Sequence, residues 1–224
     1  MSFLVFIPAR SGSTRLKNKN IKNINNKPLI KYTIDIAKKL NIKDIFFSTD
    51  SAKIKKIYEK DGFFTKYKRP KIISNKSTSM AETVLHGVEW YKKNINSKIK
   101  NIILLQPTFP MRNLNVIKKS INIFKKKRIK SLSSISELKI DSSCLLYTKD
   151  RKNFNPVKIK DKNKIYKIDG NFYICGLNFL KKNKKFSVFG KTKFVNSQVR
   201  FPVDIDYLED FIMAKNIIED VNKK

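Results

Sequence analysis

The sequence predicts an α/β fold organised around a largely parallel sheet. The continuous apolar run Phe3–Pro8 and the segment Asn101–Gln106, which is apolar between its two end residues, have the length and composition of buried strands. Amphipathic stretches that open with helix-capping residues alternate with such runs, an order that is typical of βα units. The chain has no internal repeat and no linker long enough to separate two full domains, so we expect one domain over residues 1–224.

The other elements are predicted from local patterns along the chain. Further strands are expected at Ile45–Ser48, Ser131–Ser136 and Asn171–Cys175. Helices are expected where a capping residue or a tolerated proline precedes an apolar stripe: from Pro28, from Ser51 to Gly62, from Ser79 through Tyr91, after Asn113, and over Asp206–Val221. The pattern weakens over residues 137–168, where short β-prone pieces and many charges predict an insertion or a partner-facing arm.

The chain carries a large positive charge. It has 50 Lys and Arg residues against 18 Asp and Glu residues, a formal net charge of +32. This surplus suggests nucleic-acid binding, because lysines neutralise phosphates and release counterions. However, 43 of the basic residues are dispersed lysines, whereas phosphate and base recognition favours the planar fork of arginine. We therefore expect a solvated lysine surface and no nucleic-acid partner.

The composition also excludes several classes of protein and of site. Cys144 and Cys175 are isolated, so neither a disulfide framework nor a C-x-x-C zinc site is indicated. His86 is the only histidine, which argues against Ser-His and Cys-His mechanisms. The apolar run near the N-terminus is too short for a membrane span or a secretory signal. We expect a cytoplasmic protein without a membrane partner.

The segment after the first predicted strand has the composition of a phosphate-binding loop. Ligands of open α/β sheets bind beyond the carboxyl ends of the strands. The small residues Ser11, Gly12 and Ser13 allow the backbone to approach an anion. Four cations accompany them: Arg10, Arg15, Lys17 and Lys19. The segment matches neither a Walker A loop nor a G-x-G-x-x-G fingerprint, so its spacing is equally compatible with an ordinary basic surface loop.

Two other strand ends carry unusual polar sequence. Two prolines lie between Gln106 and Arg112, and these two side chains are candidates to meet a small polar ligand. Asp204 and Asp206 are two residues apart, so in an extended segment both carboxylates project to one side and can share a Mg²⁺ ion. Asp206 also fits the N-cap of the C-terminal helix, whereas Asp204 has no such structural explanation.

A series of short motifs runs in order along nearly the whole chain. They are Phe6–Arg10 (FIPAR), Ser11–Ser13 (SGS), Lys19–Asn20, Asn26–Ile30 (NKPLI), Ser48–Asp50 (STD), Arg69–Pro70, Leu104–Arg112 (LLQPTFPMR), Asp169–Gly170 with Tyr173–Ile174, and Asp204–Asp206 (DID). Together they resemble the acylneuraminate cytidylyltransferase family, whose members make CMP-sialic acid and its CMP-activated legionaminic and pseudaminic relatives.

This resemblance implies a fold and a reaction. The fold is a three-layer, Rossmann-like α/β nucleotidyltransferase with a mostly parallel mixed sheet, a small β-rich dimerisation insertion at residues 137–168, and a homodimeric assembly. The reaction transfers CMP from CTP to the anomeric hydroxyl of a nine-carbon 2-keto sugar acid, a nonulosonic acid, and releases pyrophosphate with the help of Mg²⁺.

The resemblance also implies roles for individual residues. Those implied to bind CTP are Arg10, Ser11, Gly12, Ser13, Lys19, Asn20 and Arg69. Those implied to line the sugar pocket are Gln106 and Tyr173, and those implied to carry Mg²⁺ are Asp204 and Asp206. The implied catalytic residues are Arg10, Lys19 and Asp204.

The chain departs from the family pattern upstream of Asp169, where a basic Arg-x-Gln segment is absent. Lys158 and Lys160 are the candidates to hold the sugar carboxylate instead. Two alternative functions remain open. One is a 3-deoxy-manno-octulosonate cytidylyltransferase, which has a similar opening at Ile7–Arg10, although Lys19 with Asn20 favours the first family. The other is a lysine-rich RNA-binding protein without enzymatic activity.

Overall fold

A computed structural model describes residues 1–127, 129–138, 146–150, 153–157 and 164–222. The strands are β1 Phe3–Pro8, β2 Asn23–Ile24, β3 Lys27–Pro28, β4 Asp44–Ser48, β5 Asn101–Leu104, β6 Ser131–Leu138, β7 Leu146–Asp150, β8 Asn153–Val157, β9 Ile165–Gly176 and β10 Lys193–Asn196. The α-helices are α1 Leu29–Lys39, α2 Ala52–Glu59, α3 Met80–Asn94, α4 Leu114–Lys126, α5 Leu177–Asn183 and α6 Leu208–Asn222. Two short 3₁₀ helices cover Lys19–Ile21 and Lys71–Ile73.

Six strands form the central sheet in the order β10-β6-β9-β5-β1-β4. β1 pairs in parallel with β4 and β5, and β10 pairs in parallel with β6. Only β9 runs antiparallel to its neighbours among these six strands. The predicted mixed, mostly parallel sheet is therefore confirmed, and the carboxyl ends of β1, β4 and β5 lie at one edge.

Helices cover both faces of the sheet. The core on one face joins α1, α2 and α4 to alternate strand residues such as Val5 and Ile103. The core on the other face joins α3 and α5 to the intervening residues, such as Phe6 and Ile102. This alternation of adjacent residues between the two cores is the pattern of a strand that is buried on both faces, and it gives three layers.

A third apolar cluster positions the C-terminal part of the chain. Val203 and Ile205 pack with Leu16, Ile24 and residues of α6. The backbone N–H of Ile205 donates to the carbonyl of Thr108, 2.8 Å away. Because Val203 and Ile205 point inward, the acidic residues that alternate with them lie on the opposite side of this extended segment, where Asp206 meets the loop after β1 and Asp204 lies beside Gly170.

Local capping signals were reliable predictors of the helices. Ser51 accepts from the Ile54 N–H, Ser79 forms a capping box with Glu82, and Asn113 accepts from the first turn of α4. Pro28, predicted as the first helical residue, is the N-cap of α1, so the helix begins one residue later, at Leu29. The helix that follows Asp206 begins at Leu208.

The alternative role of Asp206 as a helix N-cap is wrong. The carboxylate of Asp210 accepts from the backbone N–H groups of Asp206 and Tyr207, at 2.9 and 2.8 Å. The side chain of Asp206 instead accepts from Lys19 and Arg15. Two cations from the loop after β1 thus draw this carboxylate away from the helix.

Part of the predicted insertion is described. Within residues 137–168, β7 and β8 pair with each other in a separate two-stranded antiparallel sheet. Residues 139–145, 151–152 and 158–163 lie outside the described part of the chain, and Lys158 and Lys160 are among them. The insertion as a unit and its role in dimerisation therefore stay predictions. In the described residues, no helix has both the length and the apolar character needed to cross a bilayer.

Candidate functional site

A cleft of about 540 Å³ opens at the carboxyl edge of β1, β4 and β5. This volume is within the range of small-molecule sites in proteins. The residues that line it include most of the positions predicted to bind CTP: Arg10, Ser13, Lys19, Asn20 and Arg69. Gln106 and Asp206 line it as well. Residues that are far apart in sequence thus meet where an open α/β sheet is expected to bind its ligand.

Asp50 anchors the start of the loop that follows β1. Its carboxylate accepts from the backbone N–H of Ser11 at 2.8 Å and from the Ser11 hydroxyl at 2.7 Å. Gly12 is exposed, and a side chain there would meet no atom within 4 Å. The segment from Ser11 to Ser13 is therefore fixed at one end and open to solvent beyond it, as a backbone cradle for an anion requires.

Asn20 and Arg10 form the inner wall of this loop. Asn20 is buried, and its side-chain amide donates to the carbonyl of Arg10 at 3.0 Å. The guanidinium of Arg10 reaches across the cleft and donates to the carbonyl of Asn75 at 2.7 Å. Asn20 thus positions the backbone of Arg10, while the guanidinium of Arg10 remains at the surface of the cleft.

Lys19 and Arg15 bracket Asp206. The buried ammonium of Lys19 lies 2.9 Å from Asp206 Oδ1 and donates to the Ile205 carbonyl at 2.6 Å. Arg15 lies 2.9 Å from Asp206 Oδ2, with its guanidinium over the ring of Tyr207. Burial alone would raise the pKa of Asp206, but the hydrogen bond and charge of Lys19 and the charge of Arg15 hold that pKa below its ordinary value.

Asp204 has the opposite electrostatic environment. The residue is exposed as a whole, but protein atoms crowd its carboxyl group, and this desolvation raises its pKa, with the charge of Asp206 acting in the same direction. The nearby side chain of Thr108 and the charges of Lys19 and Arg112 oppose the rise in pKa. Two neighbouring carboxylates, one of them destabilised as an anion, are chemically suited to a divalent cation. Among the described residues, no group of three or more His, Cys, Asp or Glu side chains is placed so that it could hold a metal ion.

Arg69 is tied to the end of β4. Only 4% of the residue is exposed, and its guanidinium donates to the hydroxyl and the carbonyl of Ser48 at 2.9 and 2.5 Å. Burial lowers the pKa of Arg69 to about 10. The side chain lines the cleft, and its contacts with Ser48 at the end of β4 set its orientation.

Tyr173, predicted to line the sugar pocket, is not among the residues that line this cleft and instead packs against the core beneath α3 and α5. Its ring packs against Phe186, with the ring centroids 5.5 Å apart. Burial, together with the negative charges of Asp204 and Asp169, raises the pKa of the Tyr173 hydroxyl to about 12. The hydroxyl is therefore a neutral hydrogen-bond donor at physiological pH.

Arg112 does not face the cleft, contrary to the expectation that it would meet a ligand together with Gln106. Its guanidinium turns into the protein and donates to the carbonyls of Gln106, Phe109 and Asn171 and to the hydroxyl of Thr33. These three backbone carbonyls need hydrogen-bond donors, and this arginine supplies one to each of them.

Sequence reasoning overlooked Asp50 and Thr108 as site residues. Asp50 stands in a run of three residues, Thr49 to Ser51, that can all cap a helix, and one helix needs only one cap. Since Ser51 caps α2, the carboxylate of Asp50 is free to accept hydrogen bonds from Ser11 in the loop after β1. No local signal singles out Thr108, because its contact with Asp204 depends on the docking of Val203 and Ile205.

A larger hollow of about 1290 Å³ lies at the opposite edge of the sheet. Residues at the starts of β5, β6 and β10 line it, among them Lys100, Lys130 and Lys193. It contains none of the motif residues. The carboxyl-edge cleft therefore remains the candidate active site, because both the motifs and the ligand rule for open sheets point to it.

Comparison with known proteins identifies the family of this chain. A family model described as Cytidylyltransferase matches residues 4–216. The CMP-N,N'-diacetyllegionaminic acid synthase of Legionella pneumophila is 27% identical over 227 residues, covering 98% of this chain and 97% of that protein. The N-acylneuraminate cytidylyltransferase of Streptococcus agalactiae is also 27% identical over 95% of this chain, which spans only 52% of that longer protein.

A solved structure shows the same fold. The CMP:2-keto-3-deoxy-manno-octonic acid synthetase, complexed with CTP, superposes with a TM-score of 0.71 at 15% identity, over 98% of this chain and 99% of that one. The predicted Rossmann-like nucleotidyltransferase fold is thus confirmed. Since the family model spans almost the whole sequence, this chain belongs to the cytidylyltransferase family.

Proposed function

We propose that this protein transfers CMP from CTP to the anomeric hydroxyl of a nonulosonic acid of the sialic, legionaminic or pseudaminic type, with release of pyrophosphate. The observation that carries the proposal is the convergence of Arg10, Lys19 and Arg69 on one cleft at the carboxyl edge of the sheet, in a chain of the cytidylyltransferase family. The relatives named for legionaminic and N-acylneuraminic acids support the choice of sugar acid.

In this proposal, CTP occupies the cleft between the loop after β1 and Arg69. The backbone from Ser11 to Ser13 and the cations Arg10 and Lys19 bind the phosphates, and Asn20 holds the loop in its binding shape. Arg69 faces the cytosine. Because these donors are already fixed by Asp50, Asn20 and β4, little reorganisation is needed when the negative charge arrives.

The sugar acid lies next to Gln106 and Tyr173. The neutral hydroxyl of Tyr173 donates a hydrogen bond to it, and the side chain of Gln106 can both donate and accept. Holding the anomeric hydroxyl in line with the α-phosphorus converts a bimolecular reaction into an intramolecular one, which supplies about 7–11 kcal/mol in well-oriented systems.

Asp204 and Asp206 are the residues that would hold Mg²⁺. Their spacing and the raised pKa of Asp204 fit a hard cation that takes one or two carboxylates and completes its shell with phosphates and water. When bound, Mg²⁺ would neutralise charge on the phosphates. As the more basic of the two carboxylates, Asp204 is also our proposed acceptor for the proton of the anomeric hydroxyl.

The cations then favour the transition state over the ground state. Charge grows on the leaving pyrophosphate as the bond to the α-phosphorus breaks, so Arg10 and Lys19 interact more strongly with the transition state than with bound CTP. We also propose that the protein acts in the cytoplasm as a homodimer, which sedimentation of the full chain would test.

The experiment is a pyrophosphate-release assay with purified protein, CTP, Mg²⁺ and a panel of sugar acids that includes 3-deoxy-manno-octulosonate. We expect release with at least one nonulosonic acid and a dependence on CTP that ATP does not replace. Preferred turnover of 3-deoxy-manno-octulosonate would support the rival cytidylyltransferase activity. No release from folded protein with any sugar acid, together with salt-dependent RNA binding, would support the non-enzymatic alternative.

A further inference from the structure

Arg112 makes an unusual number of contacts for a residue that does not line the cleft. Its Nε donates to the carbonyl of Asn171 at 2.9 Å, and its Nη2 donates to the carbonyl of Gln106 at 2.5 Å. Its Nη1 donates to the hydroxyl of Thr33 at 2.9 Å and to the carbonyl of Phe109. All three guanidinium nitrogens therefore bind fixed groups of the protein.

These contacts join two parts of the sheet that both lead to the sugar side of the site. Gln106 follows the end of β5, and Asn171 lies within β9, its antiparallel neighbour. The backbone pairing of β5 with β9 includes Leu104 opposite Tyr173 and runs from there toward the opposite edge of the sheet. Beyond that pair, on the side of the cleft, Arg112 provides the connection between the two chain segments.

The segment held by Arg112 contacts Asp204 as well as carrying Tyr173. Gly170 precedes Asn171 and adopts a φ of +77°, and a Cβ atom at this position would lie 3.3 Å from Asp204 Oδ2. Tyr173 follows Asn171 by two residues. Fixing the carbonyl of Asn171 therefore fixes the surface against which Asp204 rests and the part of β9 that carries Tyr173.

The charge of Arg112 also belongs to this region. Both Asp204 and Asp169 act electrostatically on the guanidinium. Asp169 is 4% exposed, and its Oδ1 accepts from the Ser134 hydroxyl and from the Asn171 N–H. An enclosed cation close to two carboxylates balances charge without entering the cleft.

We propose that Arg112 is a positioning residue for the sugar-acid half of the site: it holds Gln106, Tyr173 and Asp204 at their mutual distances through the carbonyls of Gln106 and Asn171. This inference rests on the proposed function. The CTP half has its own supports in Asp50, Asn20 and β4, none of which Arg112 contacts. Loss of Arg112 should therefore affect the two substrates unequally.

The test is Arg112→Lys, with steady-state kinetics for each substrate. Lysine keeps the charge but lacks the planar fork that reaches two carbonyls at once. We expect the KM for the sugar acid to rise about ten- to hundred-fold, because hydrogen bonds from misplaced side chains to the sugar acid are weakened or lost, while the KM for CTP changes less than twofold. A fall in kcat alone, with both KM values unchanged, would show that Arg112→Lys only reduces the fraction of folded enzyme. That result would overturn the proposal.

Thr33→Val is the matched control. It removes one contact of the same guanidinium in a buried position and conserves the side-chain shape, but it leaves the carbonyl contacts to Gln106 and Asn171 in place. We expect a lower Tm with both KM values unchanged. A rise in the sugar-acid KM equal to that of Arg112→Lys would show that general loosening produces the effect, and would contradict the proposal.

A measurement on the wild type serves if Arg112→Lys does not fold. With ¹⁵N-arginine labelling, the seven arginines give few signals, and Arg112 and Arg69 should show slowly exchanging Nε–H groups because each Nε–H donates within the protein. The sugar acid that the wild type turns over should shift the Arg112 signal, and CTP should shift the Arg69 signal. An Arg112 signal indifferent to the sugar acid would overturn the proposal. A wild type without turnover on any sugar acid would instead refute the proposed function.

Discussion

Two isosteric substitutions in the Asp204–Asp206 segment should change stability in opposite directions. Asp206 is held as an anion by Lys19 and Arg15, whereas Asp204 is crowded and close to a like charge. Asp206→Asn should therefore destabilise the ligand-free protein. Asp204→Asn should leave its stability unchanged or increase it, because asparagine conserves the shape of the side chain and removes the unfavourable charge.

The size of the Asp206→Asn effect follows from the exposure of the three side chains. The Lys19 side chain is 11% exposed, while those of Asp206 and Arg15 are 43% and 54% exposed. A buried pair that loses one partner costs about 3–5 kcal/mol, and an exposed pair about 0–1 kcal/mol. With one partner buried and two exposed, we expect about 1–2 kcal/mol, which for a chain of this size lowers Tm by about 2–8 °C.

The assay is urea unfolding of the wild type and both variants from pH 7 down to pH 3. A depressed folded pKa means that Asp206 contributes its full stabilisation above its unfolded value of 3.8 and loses it as the pH falls through the lower folded value. The gap between the wild type and Asp206→Asn should thus be constant near neutral pH and shrink below about pH 4. Turnover should disappear in Asp204→Asn. An Asp206→Asn variant as stable as the wild type at pH 7 would refute the reasoning.

Three further substitutions test other parts of the structure. Gly87→Ala should lower Tm despite the better helix propensity of alanine, because its Cβ would lie 2.7 Å from the ring of Phe6 in β1. Overpacking of this kind costs about 1–3 kcal/mol. Calorimetry would show the lower Tm, and an unchanged Tm would contradict the prediction. Asp50→Ala should release Ser11 and raise the KM for CTP several-fold while the KM for the sugar acid stays constant, as initial rates would show. Gly170→Ala should lower both Tm and turnover, because the φ of +77° is strained for alanine and the methyl group would press on Asp204. The free energy of unfolding should fall by about 1 kcal/mol or more.

The sequence predicted best the elements that carry their own local signals. The continuous apolar run at Phe3–Pro8 has the bounds of β1, and the capping patterns at Ser79 and Asn113 mark the starts of α3 and α4. These signals are contained within a few residues, so no knowledge of the tertiary structure is needed. They sufficed to predict a βα architecture and the edge at which the site lies.

The elements that the sequence did not predict depend on distant partners or on backbone conformation. β10 is four residues long and largely exposed, and it becomes a strand only because it pairs in parallel with β6, about 60 residues away. The hairpin of β2 and β3 turns at Asn25 and Asn26, both with positive φ, a conformation that asparagine adopts more readily than most residues. Its strands of two residues each are too short to show any periodicity.

In the candidate site, residue type was predictable and orientation was not. The motifs placed Arg10, Lys19 and Arg69 at one cleft, as the structure does. Arg112 belongs to the same motifs but faces inward, where it donates to the carbonyl of Gln106 after β5 and to that of Asn171 within β9. No pattern in the sequence distinguishes an arginine that meets a ligand from one that meets backbone, since both are favoured beside strand ends.

The net charge of +32 has little to do with how the cleft is charged. In the ligand-free protein Asp206 neutralises part of the charge of Lys19 and Arg15, and Asp50 lies beside the loop that is proposed to bind phosphate. The dispersed surface lysines are screened over about 10 Å at 0.1 M salt, so most of them act only weakly on an anion in the cleft. The few acidic residues therefore do more than the many basic ones to define this site, because they hold the loop and its cations where a triphosphate would be bound.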